Sequence, residues 1–569
     1  MDDVKKTEPK GLTRREAIKV SGLALGGLAI GGALTGSEMG KAQTGDTCTC
    51  PPGPACSWTE QPQLTQQYSY FRNLPPFYPF DSSNSTKIAP LGQNEMRITF
   101  MGSCFPPPRR AQQLMSIFVE VGWDGAKPLD QFVFDCGAGV VSNYGAMNVG
   151  LGRMDKVFIA HLHGDHMSDL THIYCFGPSA DRKSPLYVWG PTRSNFIYTD
   201  PSSKVWPQYK DGTADYCLAL RQACRWHTES FSFQTTSYPT YPALSTIKTS
   251  WGLPSVPSPV VDTDIYGHPI YDSPNDAFAL IPIELDWTKT GLDLNNVPNN
   301  DNIAYNNTTT GVKITHFPVI HTRRGAIGYK LEWTPPGGGN PITMIYTSDT
   351  KPEYNCVNQA INKNQHGVAQ GVDVFIHDMI VPAQVYAMKS SYTDVLPPLN
   401  SPGVEQLATI EASSHSPQGS FGYLLSLINP LPRLTVATHF PVANDTVACA
   451  MKSVQEHFPN AVVYQGNTAP PRRTYSKPGN PVRITWSFDL MVINVSKNQI
   501  VEQQAVVSDF SFSPWENYPV LPADMNPPKY WTWGLMAGQE VSDPYAQIDI
   551  TTEIPACNAG NCNYNDDGY

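Results

Sequence analysis

The sequence predicts an α/β protein rather than a helical bundle, and three observations carry that expectation. Short runs of alternating or unbroken apolar residues recur at strand length along the chain. The 52 prolines and 43 glycines among 569 residues imply many loops and insertions between those runs. Several of the runs also end directly on residues suited to chemistry. With 40% apolar and 16% charged residues, a sizeable core is available and wholesale disorder is excluded. The length leaves room for one elaborated domain or about three average ones.

Residues 1–42 read as an address before they read as structure. Thr13-Arg14-Arg15-Glu16-Ala17-Ile18-Lys19 precedes an uncharged run, Val20 to Ser37, that contains six glycines. So short and weakly apolar a run could barely cross a bilayer. Paired arginines ahead of a mild apolar stretch resemble the bacterial twin-arginine export signal. An amphipathic helix is the alternative, but nothing in Val20–Ser37 supplies a polar face. Gly40-Lys41-Ala42 loosely fits a small-x-small cleavage site, and an uncleaved anchor is the other outcome. The resemblance implies the twin-arginine translocation machinery as a partner, a periplasmic or exported location, and membrane contact only through this segment. Beyond residue 42 the chain carries 32 Lys/Arg against 45 Asp/Glu, a net charge of −13. A body that acidic has no electrostatic footprint for phosphate backbones, so no nucleic acid is expected.

Residues 43–95, rich in Pro, Gln and aromatics, suggest an extended arm laid over a domain surface. A catalytic domain is expected over 96–500. Strand patterns begin at Met96–Phe100, Ser116–Val121 and Gln131–Gly137, and return at Lys313–Thr315, Ile327–Glu332, Met344–Tyr346, Val374–Ile376 and Leu434–Ala437. Between about 196 and 310 the rhythm is lost among Pro, Tyr, Trp and Asn. So long a stretch must be an insertion with structure of its own, or a lid. Residues 501–569 read as a C-terminal extension ending in a polar tail. Among twelve cysteines, Cys48/Cys50/Cys56 and Cys557/Cys562 sit in tails that disulfides would tie down, a zinc knuckle being the rival reading of the first three. Cys104 and Cys136 lie in apolar runs and are expected as buried thiols.

The chemistry concentrates behind one strand. Val157-Phe158-Ile159-Ala160 delivers His161-Leu162-His163-Gly164-Asp165-His166, four potential ligands in six residues. His161 and His163 alternate about Leu162 and project to one side, while Asp165 and His166 follow past a glycine turn. One loop can then serve two cations a few ångströms apart. Further along, Phe317-Pro318-Val319-Ile320-His321, Met344-Ile345-Tyr346-Thr347-Ser348-Asp349 and Val436-Ala437-Thr438-His439 each place a candidate ligand behind an apolar run. His316 competes with His321 for the third-histidine position.

The H-x-H-x-D-H run resembles the signature of the metallo-β-lactamase superfamily, and the three downstream motifs are similar to that family's remaining ligand motifs. The resemblance implies a four-layer αβ/βα sandwich. It also implies His161, His163 and His321 on one metal, Asp165, His166 and His439 on a second, and Asp349 bridging both. Seven N and O ligands without cysteine suit two Zn²⁺, with Mn²⁺ or Fe as alternatives. Val374-Phe375-Ile376-His377-Asp378 and Ser414-His415-Ser416-Pro417 resemble the tRNase Z "HEA" and "HST" elements, with Asp378 where that family has Glu. That branch implies His415 as the general acid and Asp378 as the carboxylate that orients it, beside the metal-bound Asp165. A surface histidine without a role is the bland reading of His415. Arg109-Arg110 either clamp an anionic substrate or are merely solvated. Whole-chain similarity runs to exported metallo-hydrolases found near guanitoxin-type biosynthetic clusters.

Glu332–Asn340 is only a hairpin-sized link where tRNase Z carries a long arm for tRNA. The resemblance to the arylsulfatase and phosphodiesterase relatives of tRNase Z implies instead a dinuclear hydrolase of small anionic esters: phosphodiester, phosphate or sulfate. A lactonase on the same fold is the runner-up, and a metal-dependent redox enzyme or a non-catalytic scaffold belongs to other classes. No ligand is missing, as a dead scaffold would lack one, and no flavin or rubredoxin motif accompanies the ligands.

Overall fold

A computed structural model describes residues 74–507, apart from 82–83, 110–111, 196–208, 231–236, 392–394, 459–460 and 464–481. The export segment, both cysteine-bearing tails and Arg110 lie outside the described residues. No described helix is long and apolar enough to cross a membrane.

Two large sheets carry the fold. The first has nine strands in the order Pro76–Phe77, Ile500–Ala505, Met491–Val495, Met96–Gly102, Ser116–Val121, Asp130–Phe134, Lys156–Phe158, Leu186–Pro191 and Leu280–Leu285. The second has eight: Ile303–Asn307, Val312–Pro318, Ile327–Trp333, Ile342–Tyr346, Val374–Asp378, Leu434–Thr438, Val482–Trp486 and Ala461–Val463. Apart from the short parallel edge strand Pro76–Phe77, each sheet joins an antiparallel half to a parallel half, the change falling at Asp130–Phe134 in one and Ile342–Tyr346 in the other.

The strands read as nearly unbroken apolar runs because they are covered on both faces. Along the first sheet, Ile117, Val119, Phe132, Phe134 and Phe158 point inward and pack against the second sheet. Their neighbours Phe118, Val133 and Val157 face outward. The Phe134 ring lies 5.5 Å from Tyr329, and Trp189 lies 6.1 Å from Tyr305, so aromatic pairs fill the space between the sheets. Helices Val140–Ala146, Leu170–Ala180 and Thr213–Ala223 cover the outer face of the first sheet. Helices Tyr354–Ile361, Gln418–Ser426 and Asn444–His457 flank the second. The result is a four-layer αβ/βα sandwich, the architecture that the resemblance implies.

The chain departs from its sequence pattern at the edges. Two sheet strands, Leu280–Leu285 and Ile303–Asn307, fall inside the stretch 196–310 that lacked a strand rhythm. Leu280–Leu285 contains Pro282, which lacks an N–H, and it sits at the sheet edge, where a missing donor is tolerated. Ile500–Ala505 pairs with Met491–Val495, so the sheet continues a few residues past 500. Pro76–Phe77, from the stretch read as an arm, adds a short parallel strand beyond it.

Candidate metal centre

The strand Lys156–Phe158 ends just before His161, and Gly164–Met167 folds into a single helical turn that carries Asp165 and His166. Gly137 makes that turn possible: a Cβ there would lie 2.1 Å from the Asp165 carbonyl oxygen. The parallel strands Ile342–Tyr346 and Leu434–Thr438 bring Asp349 and His439 to the same place. His321 arrives from the loop after Val312–Pro318. His316 does not; its ring is held by the Asp286 carbonyl at 2.9 Å.

Two groups of side chains result. His161, His163 and His321 form one, and Asp165, His166, Asp349 and His439 form the other, ligand atoms within 4.8 Å of one another in each. Asp349 stands at their boundary. Its Oδ2 is 3.2 Å from His166 Nε2, 3.8 Å from His321 Nε2 and 3.9 Å from His161 Nε2, and its Oδ1 is 3.2 Å from His439 Nε2. All are buried except His163, which faces solvent.

Hydrogen bonds behind the ligands decide which nitrogen faces the site. His166 Nδ1 donates to Asp135 Oδ2 at 2.8 Å, and His321 Nδ1 donates to the Ser414 carbonyl at 2.8 Å. Nε2 of each ring is therefore presented to the cluster. Burial, together with the neighbouring histidines, holds His161 and His321 well below the usual imidazole pKa, and both present lone pairs. Burial also opposes charge on His166, yet Asp349, Asp165 and Asp135 outweigh it and raise that imidazole well above its usual value. Burial resists ionisation of Asp165 and Asp349 as well, but the histidines around them keep both well below the ordinary carboxylate range.

The donor set fits metal cations. His161 Nε2, His166 Nε2 and Asp349 Oδ1 are buried without a hydrogen-bond partner among the described residues. His163 Nδ1 and His321 Nε2 face each other at 3.0 Å. Buried polar atoms that converge unpaired are costly, and a cation would satisfy them together. The clustered His and Asp residues are thus suited to a dinuclear metal-binding site.

His415 and Asp378 join the site from the second sheet. His415 caps the C-terminus of helix Pro402–Ser414, where the dipole favours a cation, and its Nδ1 donates to Asp378 Oδ2 at 3.0 Å. Burial lowers its affinity for a proton, but the Asp378 carboxylate, with Asp349 and Asp165 beyond, outweighs that and lifts it to about 9. The ring lies 5.1 Å from His439 and 5.2 Å from His321. Asp378 Oδ1 reaches within 3.6 Å of His439 Nδ1, so one carboxylate contacts both His415 and His439. Asp349, Asp378, His415 and His439 also form a compact group that could itself hold a cation.

The Arg109 guanidinium bonds the Cys104 thiol and the Phe105 and Pro107 carbonyls of its own loop. Cys104 and Cys136 are buried free thiols, as expected. Asp135 was not legible as a site residue. It takes four bonds, from His166 Nδ1, Ala160 N–H, Tyr346 OH and Ser348 OH, and so ties the first motif to the Asp349 strand. Its one signal is a carboxylate at the end of an apolar strand, just ahead of Cys136-Gly137.

No protein-family model matches the chain. It is 31% identical over 97 residues to "Ribonuclease BN" of Proteus mirabilis, covering 17% of this chain and 31% of that protein. To "Ribonuclease Z" of Treponema denticola it is 35% identical over 80 residues, covering 14% and 26%. The chain thus spans no more than about a third of the length of these curated relatives. Among solved structures it is similar to the metallo-beta-lactamase fold protein YhfI from Bacillus subtilis, at 12% identity and a TM-score of 0.35, over 72% of this chain and 100% of that one.

Proposed function

We propose that this protein hydrolyses small anionic esters, of phosphodiester, phosphate or sulfate type, at a dinuclear metal centre. The observation that carries the reading is the His415–Asp378 pair at 3.0 Å, set against the metal-binding cluster. Zn²⁺ ions bound there, or Mn²⁺ or Fe, would supply an acidified water as nucleophile and charge to polarise the ester. His161, His163 and His321 would hold one cation, Asp165, His166 and His439 the other, and Asp349 would join them. His415 holds a proton at Nε2 and delivers it to the departing oxygen, which an alkoxide needs. Asp378 fixes the Nδ1–H tautomer and keeps the imidazolium charged.

The test compares leaving groups. His415→Ala should lower turnover of an alkyl ester by about 10²–10⁴-fold, the usual worth of general acid catalysis. A nitrophenyl ester, whose phenolate departs unaided, should lose far less. Asp378→Asn should follow the same pattern more weakly. Both variants should keep their metal, since neither residue is assigned as a ligand. Equal losses on both esters would make His415 a substrate-binding group. No loss on either would move a lactonase, whose leaving oxygen stays tethered, ahead of this reading.

The names of the curated relatives support a second reading, RNA processing. Against it stand the net charge of −13 beyond residue 42 and the short link, residues 334–341, between the strands Ile327–Trp333 and Ile342–Tyr346. A precursor tRNA included in the assay separates the two. We also propose export by the twin-arginine route. The double variant Arg14→Lys/Arg15→Lys should leave the protein in the cytoplasm, because lysine is a poor mimic of a guanidinium pair. Normal periplasmic recovery of that variant would end the export reading.

A further inference from the structure

A second cavity lies on the outer face of the second sheet, at the start of the strand whose far end leads to Asp349. Its volume is about 340 Å³, within the range of roughly 300–1,000 Å³ typical of small-ligand sites. It shares no residue with the metal centre. The lining is unusual for a ligand cavity: carboxamides, hydroxyls and charged groups surround it, with no aromatic ring among them.

Lys330 gives the cavity its character. Its side chain rises from the strand Ile327–Trp333 into this space and is only 5% exposed. The ammonium donates a hydrogen bond to Asn362 Oδ1 at 3.2 Å, and Glu332 attracts it from a distance without a direct ion pair among the described residues. A buried ammonium with one acceptor is costly unless an anion joins it. Two more lysines line the cavity. Lys313 is engaged by Asn300 Oδ1 at 2.7 Å and lies 3.8 Å from Glu332, the one carboxylate of the lining. The Lys363 ammonium bonds the Asn295 carbonyl at 2.8 Å. The lining therefore holds three lysines against one carboxylate.

We propose that this cavity binds a small hydroxyl-rich organic anion, such as a sugar phosphate or sugar acid, with its oxyanion on Lys330. The carboxamides around it suit hydroxyl groups, which both donate and accept, and offer nothing to a ring that needs stacking.

Calorimetric titration of the metal-loaded full chain tests this, with a hexose phosphate, a hexuronate, inorganic phosphate and an uncharged hexose as probes. At least one charged sugar should bind saturably, more tightly than inorganic phosphate, and the uncharged hexose should not. Lys330→Met should weaken that binding about ten- to a hundred-fold, as loss of a charge-assisted hydrogen bond would. Asp349→Ala, which disrupts the metal centre, should leave it unchanged. If Lys330→Met does not fold, Lys363→Gln should show a smaller loss in the same direction. No saturable binding by either charged sugar, or binding lost in Asp349→Ala and kept in the lysine variants, would overturn the proposal. Equal affinity for inorganic phosphate would overturn its hydroxyl-rich part.

Discussion

The two halves of the metal centre are built differently. The half made of His161, His163 and His321 is a set of imidazoles with no carboxylate of its own, and one member faces water. The half made of Asp165, His166, Asp349 and His439 is wholly buried and carries two carboxylates. A buried pair of carboxylates demands a positive charge, which a bound cation would meet. The neutral imidazoles of the first half make no such demand. Charge therefore favours occupancy of the second half, whereas the first depends on lone pairs held in place by their neighbours.

That contrast can be broken outright at Asp349. Asp349→Ala should remove both cations and lower activity by at least about 10³-fold, because it deletes the group between the halves, and several kcal/mol of charge stabilisation go with the metals. Metal analysis after gel filtration is the check, and two cations per chain with full turnover would refute the shared role. A smaller effect separates the halves. His166→Ala should empty the carboxylate half, whereas His163→Ala should only weaken the imidazole half, and graded chelation of the unaltered protein should release one metal well before the other. Simultaneous release would mean that the halves are not distinct. Asp135→Asn should be milder still. Supporting carboxylates behind a metal-bound histidine are typically worth about 10–100-fold in metal affinity, and the loss should fall on the half that contains His166.

Much of the centre could be read from the chain because its ligands are local or follow strands. Four of them share one loop, and each of the others stands behind an apolar run that any strand reading would find. What escaped notice depends on contacts between distant segments. Asp135 gains its role only when Tyr346, Ser348 and His166 converge on it. Leu280–Leu285 was hidden by Pro282, which reads as a strand breaker until the segment is known to lie at an edge. The aromatic, Asn-rich stretch around Ile303–Asn307 masked a second edge strand for a similar reason, since an edge strand need not be apolar on both faces. The Lys330 cavity left no trace in the sequence, because its lining comes from loops and strands that only the fold gathers.

Three residues at the ends of strands, Asp135, Ser348 and His439, have left-handed backbones, with φ of 56°, 56° and 71°. Glycine would adopt that conformation freely, and each side chain there costs about 1–3 kcal/mol of folding stability. A stabilisation campaign would single out all three positions for glycine, and each replacement would remove a group of the candidate metal centre or a support of one. The heat resistance this protein can reach is thus bounded by the groups gathered at that centre. Engineering for robustness should begin at the outer loops and leave these strand ends as they are.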